Sequence, residues 1–141
     1  MDDTLLNIAI IDDDPVYRFV AKNMLEKIKG IHHMYFYEDA ESAIEDWISS
    51  LEPAPLPDII LVDINMNALD GWDLLDQLHE RLPQRTNSRI YMVSSSPLDS
   101  DVEQAKNHPI GIQGYIVKPI GMQKLNAVIS HDGVDFLEVA D

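Results

Sequence analysis

Cysteine is absent from the 141 residues, which excludes disulfides, thiol catalysis and thiolate metal sites. Basic residues are scarce, 10 Lys and Arg against 25 Asp and Glu, for a formal net charge of -15. Such a surface repels phosphate backbones, which argues against direct nucleic-acid binding and suits basic partner surfaces or bound cations. No apolar run nears the roughly 20 residues a spanning helix needs, so no membrane association is expected. The amino-terminal MDDTLLNIAI is acidic and lacks the basic start of a signal peptide, so the expectation is a soluble, cytoplasmic chain. The length suits one domain with a single substantial core, spanning 1–141.

What is present is alternation. An apolar stretch over 5–11 ends in Asp12, Asp13 and Asp14. Pro15 follows, favoured at the first position of a helix, with Asp14 before it as the cap. Val16, Phe19, Val20, Met24 and Ile28 recur at helical spacing until Gly30 stops them. A short second strand is expected over 34–37. Ala40, Ala43, Ile44, Trp47, Ile48 and Leu51 form the cleanest apolar stripe, read as core packing. Three prolines make 52–57 a loop. Ile59, Ile60, Leu61 and Val62 are an unbroken β-branched and aliphatic run, too short for an ordinary helix and suited to a strand buried on both faces. It ends on Asp63.

A helix using Leu74, Leu75, Leu78 and Leu82 comes next, then a strand over 89–93 before Ser94, Ser95, Ser96 and Pro97. A weakly amphipathic helix (Leu98, Val102, Ala105) precedes Pro109. A fifth strand over 114–117 runs into Lys118-Pro119, and Met122, Leu125, Val128 and Ile129 give a last helix. Residues 131–141 are an acidic tail with no assignable structure, so the folded core is placed at about 5–130.

Five strands alternating with five helices imply an α/β fold, a doubly wound parallel sheet with helices on both faces. Right-handed crossovers bring the carboxyl ends of the strands to one edge, where open α/β sheets bind ligands. That edge would carry Asp12, Asp13, Asp63, Ser94 and Lys118. Neighbouring carboxylates repel unless a cation joins them. Hard oxygen ligands of this kind suit Mg²⁺. With an ammonium beside it, the pocket suits a tetrahedral dianion such as a phosphoryl group. A carboxylate there can attack phosphorus to give an acyl phosphate, and phosphoryl transfer needs positioning and charge neutralisation more than a histidine base.

With these residues in place the chain resembles a receiver domain of the two-component response-regulator family. The likeness rests on IIDDDP at the first strand end, DIILVDINMNALDG at the third, VSS at the fourth and YIVKPI at the fifth, and covers about 5–130. It implies a flavodoxin-like sheet in the order 2-1-3-4-5. It implies Asp63 as phosphoacceptor, Asp13 as a direct Mg²⁺ ligand, Asp12 acting through a metal-bound water, and the Asn65 backbone carbonyl on the metal. Ser94 would hydrogen-bond the phosphoryl group and Lys118 would pair with its charge. Tyr115 matches the aromatic that turns inward when that hydroxyl is drawn to the phosphoryl group. The partners implied are a sensor histidine kinase or histidine phosphotransfer protein, and a downstream protein met through the fourth helix, fifth strand and fifth helix. With no length left for an attached output domain, a stand-alone receiver is expected.

Asn67 stands where the family usually has proline, which removes a conformational lock from the loop. Leu69 replaces the more usual methionine, and Ser94 replaces threonine but keeps the hydroxyl. Asn65 and Ser96 occupy positions that tune phosphoryl lifetime in the family.

Plainer readings stand beside these. Asp63 can cap the turn that follows it, Tyr115 can be a core residue of its strand, and Lys118 an ordinary surface lysine. Ser95 and Ser96 read as turn residues. The series Asp63, Asn65, Asn67 resembles the opening of a calcium loop, but Ala68 stands where glycine is needed and Leu74 where the bidentate glutamate belongs. The adjacent His32 and His33 and the scattered His79, His108 and His131 receive no metal or catalytic role.

Two rival functions differ in class. One is a Mg²⁺-dependent phosphohydrolase of the haloacid-dehalogenase type, with Asp12 as nucleophile in a D-x-D-x-V pattern (Asp12, Asp14, Val16). It leaves Asp63 unused and has only Asp132 and Asp135 for its later acidic strand end. The other is a degenerate receiver that binds partners without phosphorylation, against which the complete residue set argues.

Overall fold

The computed structural model describes residues 5–48, 56–66, 68–81, 88–95, 99–130 and 137–139. The elements are β1 (Leu6–Ile11), α1 (Pro15–Leu25), β2 (Ile31–Tyr37), α2 (Ala40–Ile48), β3 (Ile59–Asp63), α3 (Gly71–Arg81), β4 (Arg89–Ser94), α4 (Asp99–Asn107), β5 (Gly114–Val117), α5 (Met122–Ile129) and β6 (Leu137–Val139). The paired strands are parallel, and the sheet order is β2-β1-β3-β4-β5-β6. The expected 2-1-3-4-5 arrangement is therefore present, with a sixth strand added beyond β5.

Side chains on a strand alternate between its two faces, and each face of this sheet has its own core. Ala9, Ile11, Ile60, Val62, Ile90, Met92 and Tyr115 pack with Ala43 and Trp47 of α2, Leu74 and Leu78 of α3, and Ala105 of α4. Ile8, Ile10, Ile59, Leu61, Tyr91, Val93 and Ile116 pack with Ala21 and Leu25 of α1 and Leu125 and Val128 of α5. All five residues of β3 are buried, so the central strand is sealed on both sides, as its unbroken apolar run requires. Truncating one of its side chains, as in Leu61→Ala, would cost about 2–5 kcal/mol.

Two local expectations need correction. In α1 the apolar residues Val16, Phe19 and Val20 face outward, 68%, 65% and 45% exposed. The helix instead seats Tyr17, Ala21, Met24 and Leu25 on the sheet, with Ile28 packing there just past its end, the row spaced by about four that one helix face presents. The second strand begins at Ile31 rather than residue 34. Its register pairs Leu6 with Ile31 but Asn7 with His33, so His32 is the extra residue of a bulge. The expected contributions of Leu51, Leu82 and Leu98, most of the 52–57 loop, and most of the 131–141 tail lie outside the described residues. Among the described residues, no helix is long and apolar enough to cross a membrane.

Candidate functional site

Parallel strands deliver their carboxyl ends to one rim, and the register sets how they align there. Ile11 pairs with Val62, Asp63 with Val93, and Ser94 with Val117. The residues one step beyond β1 and β5, Asp12 and Lys118, and the tips of β3 and β4, Asp63 and Ser94, thus share an edge. The Lys118 amide donates to the Ser94 carbonyl at 2.9 Å and the Ile64 amide to the Val93 carbonyl at 2.9 Å, which pins these tips together. The Lys118-Pro119 peptide is cis.

Each carboxylate is held differently. Asp12 is 1% exposed; its Oδ1 accepts from the Asp14 amide at 2.9 Å, and its Oδ2 meets Lys118 Nζ at 2.7 Å. The Arg18 guanidinium donates to the Asp12 carbonyl oxygen. Asp14 turns the other way, capping α1 by accepting from the Val16 and Tyr17 amides at 2.9 and 3.4 Å. The cap and site roles of the three consecutive aspartates are therefore separate, and Asp13 is left exposed beside the pair. Asp63 is 5% exposed, its Oδ1 accepting from the Asn65 amide at 3.3 Å and its Oδ2 lying 3.6 Å from Lys118 Nζ.

One carboxylate oxygen from each of Asp12, Asp13 and Asp63 lies within 4.8 Å of the others. Only one ammonium, that of Lys118, contacts this triad among the ion pairs of the described residues. Burial, and then the charge of Asp12, push the Asp63 carboxyl up to about 6, against the opposing pull of Lys118 and the Asn65 amide, with Asp13 adding to the rise. A buried carboxylate crowded by like charge is under-neutralised, and the donor set is all oxygen. It fits a hard divalent cation such as Mg²⁺, with Asp12, Asp13 and Asp63 as the side chains able to hold it.

Ser94 is fully buried and lies on the same sheet face as Tyr115, which is 1% exposed. Burial raises the Tyr115 phenol, and the nearby Ser94 side chain offsets part of that rise. The aromatic is thus inward and next to the hydroxyl. Asn65 is exposed in the loop after β3, and Ser95 is exposed after β4. Asn67 and Ser96 lie outside the described residues. The histidines form no metal-ligating group of three among the described residues.

Three contributors to the site were not anticipated. Tyr17 places its ring under Lys118, 4.3 Å from Nζ to the ring centroid. Arg18 braces the Asp12 backbone. Gly71 opens α3 against the site: a Cβ there would lie 2.6 Å from the Asp63 carbonyl oxygen and 3.0 Å from the Ile64 Cα. The spacing of Tyr17, one helical turn past Asp13, was the available signal for the first. The other two depend on backbone approaches that no spacing reveals.

Comparison with known proteins agrees with this geometry. The sequence model of the family described as response regulator receiver domain matches residues 8–130. The nitrate/nitrite response regulator protein NarL of Escherichia coli (strain K12) is 31% identical over 118 residues, 84% of this chain and 50% of NarL. The chain spans about half the length of curated relatives it matches, NarL and the transcriptional regulatory protein DcuR among them. Among solved structures, a two-component response regulator from Cytophaga hutchinsonii superposes with a TM-score of 0.80 at 24% identity, over 89% of this chain and 94% of that one. The Mn²⁺-bound form of response regulator Rcp1 superposes with a TM-score of 0.69 at 19% identity, over 88% of each chain. Both share the fold.

Proposed function

This chain belongs to the response regulator receiver domain family, and from that premise we propose that it is a phosphoacceptor that takes a phosphoryl group onto Asp63 from a phosphohistidine. The donor would be a sensor histidine kinase or a histidine phosphotransfer protein. The observation that carries this reading is the Lys118 ammonium set between Asp12 and Asp63, at 2.7 and 3.6 Å, with Asp13 completing a three-carboxylate cluster.

In the transfer, an Asp63 carboxylate oxygen bonds to phosphorus as the phosphorus–nitrogen bond breaks, and that electron pair leaves with the imidazole. Asp63 suits the nucleophile's part: buried and crowded by like charge, it gains by spreading its charge onto an incoming group. Lys118 is placed to meet the new negative charge, and Ser94 to donate a hydrogen bond to a phosphoryl oxygen. A bound Mg²⁺, held by Asp12, Asp13, Asp63 and the Asn65 carbonyl, would supply the remaining charge neutralisation. The Mn²⁺ bound by the structurally similar Rcp1 supports a divalent ion here. Drawing Ser94 toward the phosphoryl group would tighten the inward seat of Tyr115 and alter the face made by α4, β5 and α5, where a downstream protein would bind.

The phosphohydrolase reading gains nothing from the geometry. Of the two buried carboxylates Asp12 is held the more tightly by Lys118, at 2.7 Å against 3.6 Å for Asp63, which makes it the poorer nucleophile. The test is incubation with a small acyl phosphate and Mg²⁺, followed by intact-mass measurement. One phosphoryl group is expected on the wild type, none on Asp63→Asn, and none on the wild type with the cation chelated. Full labelling of Asp63→Asn would overturn the assignment.

A further inference from the structure

Lys118 leaves β5 on a loop, yet its ammonium is only partly exposed and must stay within reach of Asp63. Of its ion-pair and ring contacts among the described residues, two are with carboxylates, Asp12 and Asp63, which are shared with any cation the triad takes up. The third is the ring of Tyr17, 4.3 Å from Nζ to the centroid. An aromatic face attracts an ammonium through its quadrupole, with no change in the ring's own charge, so this contact persists when the carboxylates turn to another cation. The ring is itself fixed from two sides. Its helix turn is capped by Asp14, which accepts from the Tyr17 amide, and its side chain packs against the core between the sheet and α1. The hydroxyl is not the anchor: it is buried and has no hydrogen-bond partner among the described residues.

We infer that Tyr17 is a positioning residue that holds the Lys118 ammonium over Asp63 through its aromatic face, and so sets the rate at which Asp63 accepts a phosphoryl group. The inference rests on the reading of Asp63 as acceptor and Lys118 as its counter-charge. It predicts that the ring matters and the hydroxyl does not. Tyr17→Phe therefore keeps the rate, and Tyr17→Leu, which keeps apolar bulk without a π face, lowers it.

The experiment has two arms on the full chain. In the first, without metal or phosphodonor, the ε-methylene protons of Lys118 are observed by NMR, assigned with Lys118→Arg. Ring current displaces them upfield in the wild type and in Tyr17→Phe, and they return to ordinary lysine positions in Tyr17→Leu. In the second, the rate of labelling by a small acyl phosphate with Mg²⁺ stays within about twofold for Tyr17→Phe and falls roughly two- to thirty-fold for Tyr17→Leu, the span of a cation–π contact from exposed to desolvated. Should Tyr17→Leu unfold, as judged by circular dichroism, Tyr17→Met replaces it under the same expectations. An undisplaced Lys118 signal in the wild type overturns the inference. So does a ring-less variant that labels as fast as the wild type, or a Tyr17→Phe that falls as far as Tyr17→Leu. A wild type that takes no label overturns the Asp63 assignment instead, and the metal-free arm still decides whether the ring holds the lysine.

Discussion

Asp63 carries the site's tension between burial and charge. Its ordinary value of 3.8 rises to about 6, first through burial and then through Asp12. The folded protein therefore holds this proton more tightly than the unfolded chain. On this group's account, stability without metal is greatest below about pH 4, declines as pH rises toward 6, and reaches its full cost above that. That full cost is on the order of 3 kcal/mol. Asp63→Asn should accordingly stabilise the metal-free protein at pH 7 by up to about 3 kcal/mol and flatten its stability between pH 4 and 6, measured by urea unfolding across that range. The meeting of Asp12, Asp13, Asp63, Ser94 and Lys118 at one rim was legible because each follows an apolar run that ends there. Tyr17 was less so, because an aromatic on an amphipathic helix reads equally well as core, and its place one turn past Asp13 is the one sign that it sits near the rim.

At the scale of elements, α3 is docked so closely on the end of β3 that its first residue has no room for a side chain. The Gly71 amide donates to the Ile64 carbonyl at 3.0 Å, and an added Cβ would strike the Asp63 carbonyl oxygen, a backbone atom that cannot swing aside. Gly71→Ala is expected to cost about 1–3 kcal/mol in stability, read as a lower thermal midpoint, and to slow Asp63 labelling by displacing its backbone. Equal stability and labelling would show that the contact relaxes freely. The elements themselves were largely readable, since strand runs and the Leu74, Leu75, Leu78 row leave little choice of period. The face of α1 was not, because its apolar residues outnumber the places on one stripe. Val16, Phe19 and Val20 compete with Tyr17, Ala21, Met24 and Leu25, and the sheet takes the row that begins beside Lys118. The β2 bulge at His32 was hidden for a related reason: an extra residue in a ladder leaves no mark in composition.

For the whole molecule, the net charge of -15 makes folding work against self-repulsion, and the triad concentrates that repulsion at one rim. Mg²⁺ at constant ionic strength should therefore stabilise the wild type by about 1.4 kcal/mol at ten times its dissociation constant, read as a higher thermal midpoint. The same addition should leave Asp13→Asn nearly unmoved, whereas raising NaCl should stabilise both alike. Equal Mg²⁺ responses would place the ion elsewhere on the acidic surface. The order of the first five strands followed from the family likeness, alternation having given only a parallel sheet with a few possible orders. β6 did not, because a strand of three residues within an acidic tail has too few apolar positions to announce a period. Its pairing with β5, Tyr115 opposite Glu138, means that the expected output face meets the tail along its strand edge.

The most direct measurement locates the acyl phosphate. After labelling with a small acyl phosphate and Mg²⁺, reduction with borohydride converts the modified aspartate to homoserine, and peptide mass spectrometry identifies its position. The account predicts the conversion at Asp63 and at no other aspartate. Conversion at Asp12 would contradict it.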